Sequence, residues 1–422
     1  MTVRDHRPAT STVAGLMPWL LGLLTMLATV FVSVSGVVVT AGGVDQTLFH
    51  LPTIEKFRSE LPWPDIVDVQ TATTPLYHLF VASTSLPLGG STVVVQVIGS
   101  LFAAALAVVV AYSVRAVESL SMQLVLVVSV MFSTYFWESA LWIGTDCAAT
   151  LLTVGVMFSL VRSQPRFWIV GVLCALAILT RQSCAWLLLP AAVVAVSGNP
   201  SCTRARDLAA ATVPGTAVLA VVFWVWKGAT PPRFAEINGL AVSGAAVSYG
   251  VVLAGVFALA LLLSIRPNLS ARELWWAAPV GVVAALPAVI FASSVTLDDT
   301  RTGGWLWSIV GRTPSITDRS SGLVVAAFLG GMACSVLVRR LDRRTALVVV
   351  SAFLGLVLVL TFGARLYQKY FELPILVMYV MCACSALRAG IVGYRWPFVV
   401  VALVQVVLSA GIVGLPLVRA LL

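Results

Sequence analysis

"LMPWLLGLLTMLATVFVSVSGVVVT", Leu16 to Thr40, runs for 25 residues without one charge. The hydrocarbon core of a bilayer is ~30 Å thick and takes about 20 such residues as a helix. Arg4 and Arg7 precede the run, as in a secretory signal. The apolar region of a cleaved signal is only about 7 to 15 residues long, so this segment is expected to remain as a span. The pattern continues outward from it: 60% of the 422 residues are hydrophobic and 10% are charged, against roughly 25% charged in a soluble domain. The fold class that follows is all-α, a polytopic transmembrane helical bundle.

Apolar runs bounded by charge, Gly or Pro place spans near 16–40, 91–114, 120–137, 147–161, 167–180, 183–197, 208–226, 240–265, 274–292, 321–338, 345–363, 370–387 and 396–418, about thirteen in all. A single helix over 167–197 would be about 46 Å long with Arg181 near its centre, so it is read as two segments. Residues 1–422 then form one integral domain with two long connections, 41–90 and 293–320. Eight tryptophans, among them Trp63, Trp142, Trp226 and Trp307, fall near span ends on the side of these connections, where they read as interface anchors.

Charge tests this map independently of hydropathy. With the N-terminus cytoplasmic, the inner ends carry Arg4, Arg7, Arg115, Arg162, Arg166, Arg204, Arg206, Arg266, Arg272, Arg339, Arg340, Arg343, Arg344, Arg388 and Arg395, fifteen of the 26 basic residues. Only five of the 17 acids, Asp5, Glu118, Asp207, Glu273 and Asp342, accompany them. Every inner loop is basic, as the positive-inside rule requires. Both long connections therefore face outward, and the short loops suit a bacterial plasma membrane.

This distribution excludes several functions. The net charge of +9 comes from cations scattered singly between apolar runs, which offers no stripe for nucleic acid. No inner connection exceeds about a dozen residues, and neither a P-loop nor a dinucleotide fingerprint occurs. The seven cysteines lack CxxC spacing and read as small core residues, supporting neither a disulfide framework nor a metal site. No cofactor is expected.

The polar residues gather instead at the outer face. "GGVDQTLFHLPTIEKFRSELPWPDIVDVQTATTPLYHLF", Gly42 to Phe80, is the longest polar run. Gly42 and Gly43 would turn the chain so that Asp45 faces the bilayer. Pro52 suits the first turn of a short interfacial helix over "PTIEKFRSE", with Ile54 and Phe57 on one face. His50 is a substrate-contact candidate. Asp146 starts an apolar span, where it reads as either an N-terminal cap or a functional acid. Arg181 and Gln182 interrupt two apolar segments, and a guanidinium there wants an anion such as a lipid phosphate. Arg365 and Lys369, four residues apart, would share a helix face, with ion pairing to Glu372 as the plainer use. A base and three cations at one face suit a reaction in which an acceptor hydroxyl loses its proton to Asp45 while a phosphate departs toward Arg181, Arg365 and Lys369.

In order, "DQTLFHLPTIEKF", "TATTPLYHL", "LWIGTDCAATLL", "LTRQSCAW" and "ARLYQKYFELP" resemble signatures of the dolichyl-phosphate-glucose-dependent alpha-1,2-glucosyltransferases, spread over residues 40–380. The resemblance implies a GT-C fold whose long extracytoplasmic first loop carries short interfacial helices. It also implies inverting, metal-independent transfer of a sugar from a polyprenyl-phosphate donor to a hydroxyl of an envelope glycan, lipid or protein. Asp45 and Gln46 would fall in the acidic loop site, with Phe49, His50 and Pro52 as its framework and Thr74 and Pro75 as its corner. Asp146 would match the acidic span start, Arg181 and Gln182 the donor-side break, and Arg365 to Tyr370, including Lys369, the late basic segment. Gln46 replaces the second acid of the family pair, Asp45 stands one residue farther from the histidine, and Cys184 replaces the final asparagine of the break. Asp146 and Glu55 therefore stay open as alternative bases. A transporter or lipid-linked-sugar flippase is the rival reading; it would require midplane charges and two related halves.

Overall fold

A computed structural model describes residues 12–197, 201–265, 270–293, 303–363 and 365–422. Arg4, Asp5, Arg7 and Arg266, with residues 294–302 of the second long connection, lie outside the described residues. The structure is a bundle of helices with one two-residue hairpin, Ser315–Ile316 against Arg319–Ser320. Thr317 and Asp318, at φ 49° and 61°, make its turn.

Among the described residues nine helices are long and apolar enough to cross a membrane, and ten if a bent pair counts as one span. The chain is thus a multi-pass integral membrane protein. Each expected apolar segment contains a helix, but that in 16–40 ends at Ser35, that in 240–265 starts only at Ala246, and not every one is long. Asp146–Leu160 has 15 residues and Phe167–Thr180 has 14, so each reaches only about 22 Å at 1.5 Å per residue. The expected span 120–137 is two helices, Leu120–Met131 and Thr134–Leu141, bent by 68°. The chain breaks at Arg181, whose φ of −156° and ψ of 113° are extended, and resumes as a tight 3₁₀ turn over Gln182–Leu187.

Membrane helices gain little from hydrophobicity against each other and rely on close packing, which small residues permit. Ala246–Ser264 and Ser321–Val338 meet at Gly255 and Gly330, where a methyl on Gly255 would run into the backbone of Gly330. Lys369–Arg388 is buried along most of its length and forms the centre of the bundle. Thr12–Ser35, Ser201–Trp226 and Ala271–Ile290 turn large apolar faces outward, the arrangement expected where the solvent is lipid.

Helix ends meet in two groups. At one end Arg115 donates to Gly15 O at 3.0 Å, Arg344 to Leu160 O at 2.9 Å, Arg340 to Glu273 at 2.8 Å and Ser385 to Asp342 at 2.6 Å. At the other, Trp226 donates to Ile66 O at 2.9 Å and Gln368 N to Gly303 O at 2.8 Å. Each of these contacts joins ends that the charge pattern assigns to the same side.

The first long connection is mostly helix. Thr40–Asp45, a five-residue π segment Gln46–His50 and Leu51–Glu60 run on from one another. Ile54 and Phe57 are fully buried, as their shared face demands. Gly42 and Gly43 do not form the turn expected of them. The left-handed backbone positions come earlier, at Gly36 (φ 67°) and Thr40 (φ 64°), and the glycines sit inside a helix. They serve close approach: a methyl on Gly42 would stand 2.7 Å from the Glu138 carbonyl oxygen. The tryptophans also divide. Trp63 is exposed, but Trp142, Trp226 and Trp307 are buried and donate to Val37 O at 3.1 Å, Ile66 O at 2.9 Å and Leu366 O at 2.9 Å, so these three are core struts rather than interface anchors. Cys147, Cys174, Cys184, Cys382 and Cys384 are buried and Cys334 partly so, all as thiols.

Candidate functional site

Four segments remote in sequence deliver charge to one place. Asp45 ends the short helix after the first span, and its Oδ2 accepts from Lys369 Nζ at 2.8 Å. Asp146, the first residue of its helix, is ion-paired to Arg181 at the chain break. Both pairs are mostly shielded from solvent. Tyr370 joins them: the Arg181 guanidinium lies 4.7 Å from its ring centre and Lys369 Nζ 5.8 Å. A cation over an aromatic face is stabilised by the ring quadrupole, and more so where water is scarce.

Local structure explains these placements. The cap position of the Asp146 helix falls on Thr145, whose side chain makes no cap hydrogen bond, and the Asp146 carboxylate pairs with Arg181 instead. Breaking the chain at Arg181 lets the guanidinium leave the helix wall. The Lys369–Arg388 helix begins at Lys369, so Arg365 lies in the non-helical segment before it and the two do not share a helix face. Arg365 donates to the Tyr367 hydroxyl at 3.1 Å, while its Nε is buried with no partner. Glu372 pairs with neither cation. It accepts from Ser133 at 2.9 Å, Gln368 at 2.7 Å and Trp305 at 3.3 Å, tying the bend after Met131 and the short helix Trp305–Gly311 to the central helix.

Gln46 is buried and accepts the Ile143 N–H at 2.8 Å. His50 is buried at 2.9 Å, Nδ1 to Nε2, from His78, with the rings stacked. Burial holds His50 down at about 4; Asp45 opposes this, while Lys369 and Arg181 reinforce it. Thr74 donates to Ile178 O at 2.6 Å and is wholly buried, which spends its hydroxyl on joining the first connection to the helix before Arg181. Gln182 Nε2 donates to Ala72 O at 2.6 Å, leaving Oε1 buried without a partner. Of the predicted residues, Asp45, Asp146, Arg181, Lys369 and Tyr370 converge; Gln46 and Thr74 hold the surrounding backbone.

Glu138 joins this cluster without belonging to any of the sequence motifs. It lies against Gly42, in the field of Lys369 and Asp45. The one available signal was an acid at the end of an apolar run, in "YFWES". Glu55, the other reserve base, is on the helix beyond His50 and forms none of these pairs.

Beside the paired charges opens a cavity of about 440 Å³. Arg181, Gln182, Arg365 and Tyr370 line its polar part; Leu219, Phe223 and Leu358 are among its apolar walls. A smaller void joins Asp146, Arg181, Lys369 and Tyr370. An anionic headgroup with an apolar tail would be matched at both ends. Among the described residues no group of three or more His, Cys, Asp or Glu side chains could hold a metal ion. The chain matches no known family model, no curated protein and no solved structure.

Proposed function

We propose that the protein is a glycosyltransferase that moves a sugar from a polyprenyl-phosphate donor to a hydroxyl acceptor at the extracytoplasmic membrane face. The observation that carries this reading is the convergence of Asp45–Lys369 and Asp146–Arg181 around Tyr370, beside an apolar-walled cavity that Arg181, Tyr370 and Arg365 line. An activated sugar must arrive on a carrier, and a lipid phosphate can enter such a cavity from the bilayer.

In the proposed reaction the acceptor oxygen attacks the anomeric carbon, the bond from that carbon to the phosphate oxygen breaks, and the hydroxyl proton passes to the Asp45 carboxylate. Charge left on the polyprenyl phosphate is met by Arg181, Arg365 and Lys369. Fixed cations at a developing anion lower such barriers by several kcal/mol. As Asp45 takes up the proton its hold on Lys369 weakens, which frees that ammonium for the phosphate. The ordered motifs support a GT-C architecture. On this reading the bent pair and the short helices Asp146–Leu160, Phe167–Thr180 and Gln182–Ser197 complete about thirteen crossings with the N-terminus cytoplasmic, in a bacterial plasma membrane.

The test uses purified protein in lipid with radiolabelled polyprenyl-phosphate sugars and envelope extract as acceptor. Label should pass to acceptor in the wild type and be lost in Asp45→Ala and Arg181→Ala. Transfer that both variants retain removes this site from the chemistry. Movement of intact sugar-lipid across vesicles, without transfer, makes the protein a flippase.

A further inference from the structure

At the opposite end of the bundle, a crevice of about 520 Å³ opens between the helices Thr92–Ser113, Asp146–Leu160, Arg343–Thr361 and Lys369–Arg388. Val109, Phe158 and Met381 line its inner part, and Ser159, Arg162, Thr345 and Arg388 are among its polar residues. Arg388 spends Nε on Cys384 O at 3.2 Å. Among the described residues no carboxylate lies within 4 Å of either guanidinium. Asp342, which packs at this end, is already engaged: Oδ1 accepts Arg344 N at 3.1 Å and Thr345 N at 2.9 Å, and Oδ2 accepts Ser385 Oγ at 2.6 Å. Arg115 stacks 3.8 Å over Tyr112, another lining residue.

We infer that this crevice is a binding site for an anionic phospholipid, with the headgroup phosphate between Arg162 and Arg388 and the first acyl carbons against Val109, Phe158 and Met381. Two arginine forks suit a phosphate, which accepts hydrogen bonds on several oxygens at once. A cavity of this size holds a headgroup with its glycerol. The apolar inner wall decides for a lipid over a free anion, since inorganic phosphate would leave it uncovered. Two of the enclosing helices carry Asp146 and Lys369 at their far ends, so the lipid binds between the elements that position the paired charges. The inference does not depend on the proposed transfer reaction.

The experiment is native mass spectrometry of delipidated full-length protein titrated with phosphatidylglycerol, with phosphatidylcholine of the same chains, and with inorganic phosphate. Wild type should retain phosphatidylglycerol at concentrations at least tenfold below phosphatidylcholine. R162Q/R388Q should abolish that preference, and Ser159→Leu, which keeps every charge but fills the crevice, should weaken retention. Arg272→Gln, on an exposed helix start, should change nothing. Equal retention of both lipids by the wild type overturns the site without any variant. So does an undiminished preference in R162Q/R388Q, or full displacement of phosphatidylglycerol by millimolar inorganic phosphate.

Discussion

Asp45 and Lys369 illustrate how much a single contact can carry. Removing one member of a mostly buried ion pair leaves the other uncompensated, at a cost of about 3 to 5 kcal/mol. Asp45→Asn keeps the volume and a hydrogen bond, and the reading above requires it to reduce transfer at least 100-fold with donor affinity within threefold of wild type; an equal loss of both would point to a binding role instead. Arg181→Ala should also reduce transfer, since its guanidinium meets the charge that develops on the departing phosphate, and should in addition raise the donor KM at least tenfold. His50 makes a prediction on pH. Its folded value of about 4 lies below the ordinary 6.5, so both folded and unfolded chains hold it neutral at pH 7. As pH falls below 6.5 the unfolded chain binds a proton that the folded chain refuses until about 4. Stability is therefore lost across that window, by about 3 kcal/mol at 1.36 kcal/mol per unit. Melting in detergent at pH 7 and pH 4.5 should show the drop, and His50→Gln should shrink it; His78, stacked on His50 and held low by burial and by His50, supplies part of what remains.

Elements are joined here by a few buried polar ties more than by loops. Glu372 binds the central helix to the bend at Ser133 and to Trp305 on the short helix Trp305–Gly311. Glu372→Ala leaves buried donors unpaired at about 1 to 3 kcal/mol each. Hydrogen exchange should rise in residues 303–311 and around Ser133, and stay unchanged in the distant Ser201–Trp226 helix; uniform acceleration would mean that the tie is not local. Helix contact through Gly255 and Gly330 makes the complementary case. Gly255→Leu must push two backbones apart, and overpacking of this kind costs about 1 to 3 kcal/mol, read as a lower melting temperature with the fold retained.

Across the whole molecule, charge separates the two ends of the bundle, with arginines meeting at one and the paired acids and bases at the other. If the positive-inside rule governs insertion, Glu55→Cys should react with a membrane-impermeant maleimide in intact cells, and Arg339→Cys only after permeabilisation. The opposite pattern would invert the orientation and move the paired charges to the cytoplasmic side. The described native thiols, buried or partly so, should add little background.

The apolar helices, the break at Arg181 and the buried face of Ile54 and Phe57 were legible in the linear chain, because periodicity and transfer free energy act through residues close in sequence. The grouping of helix ends was legible too, since the membrane allows only two sides. Which acid meets which base was not. Arg181 takes Asp146, Lys369 takes Asp45, Arg365 stays off the helix, and Glu138 comes in over Gly42. Those choices depend on where a helix stops and how near two backbones pass. Distances of a few ångströms between segments as much as 324 residues apart are set by packing, and packing is decided only when the whole chain is folded.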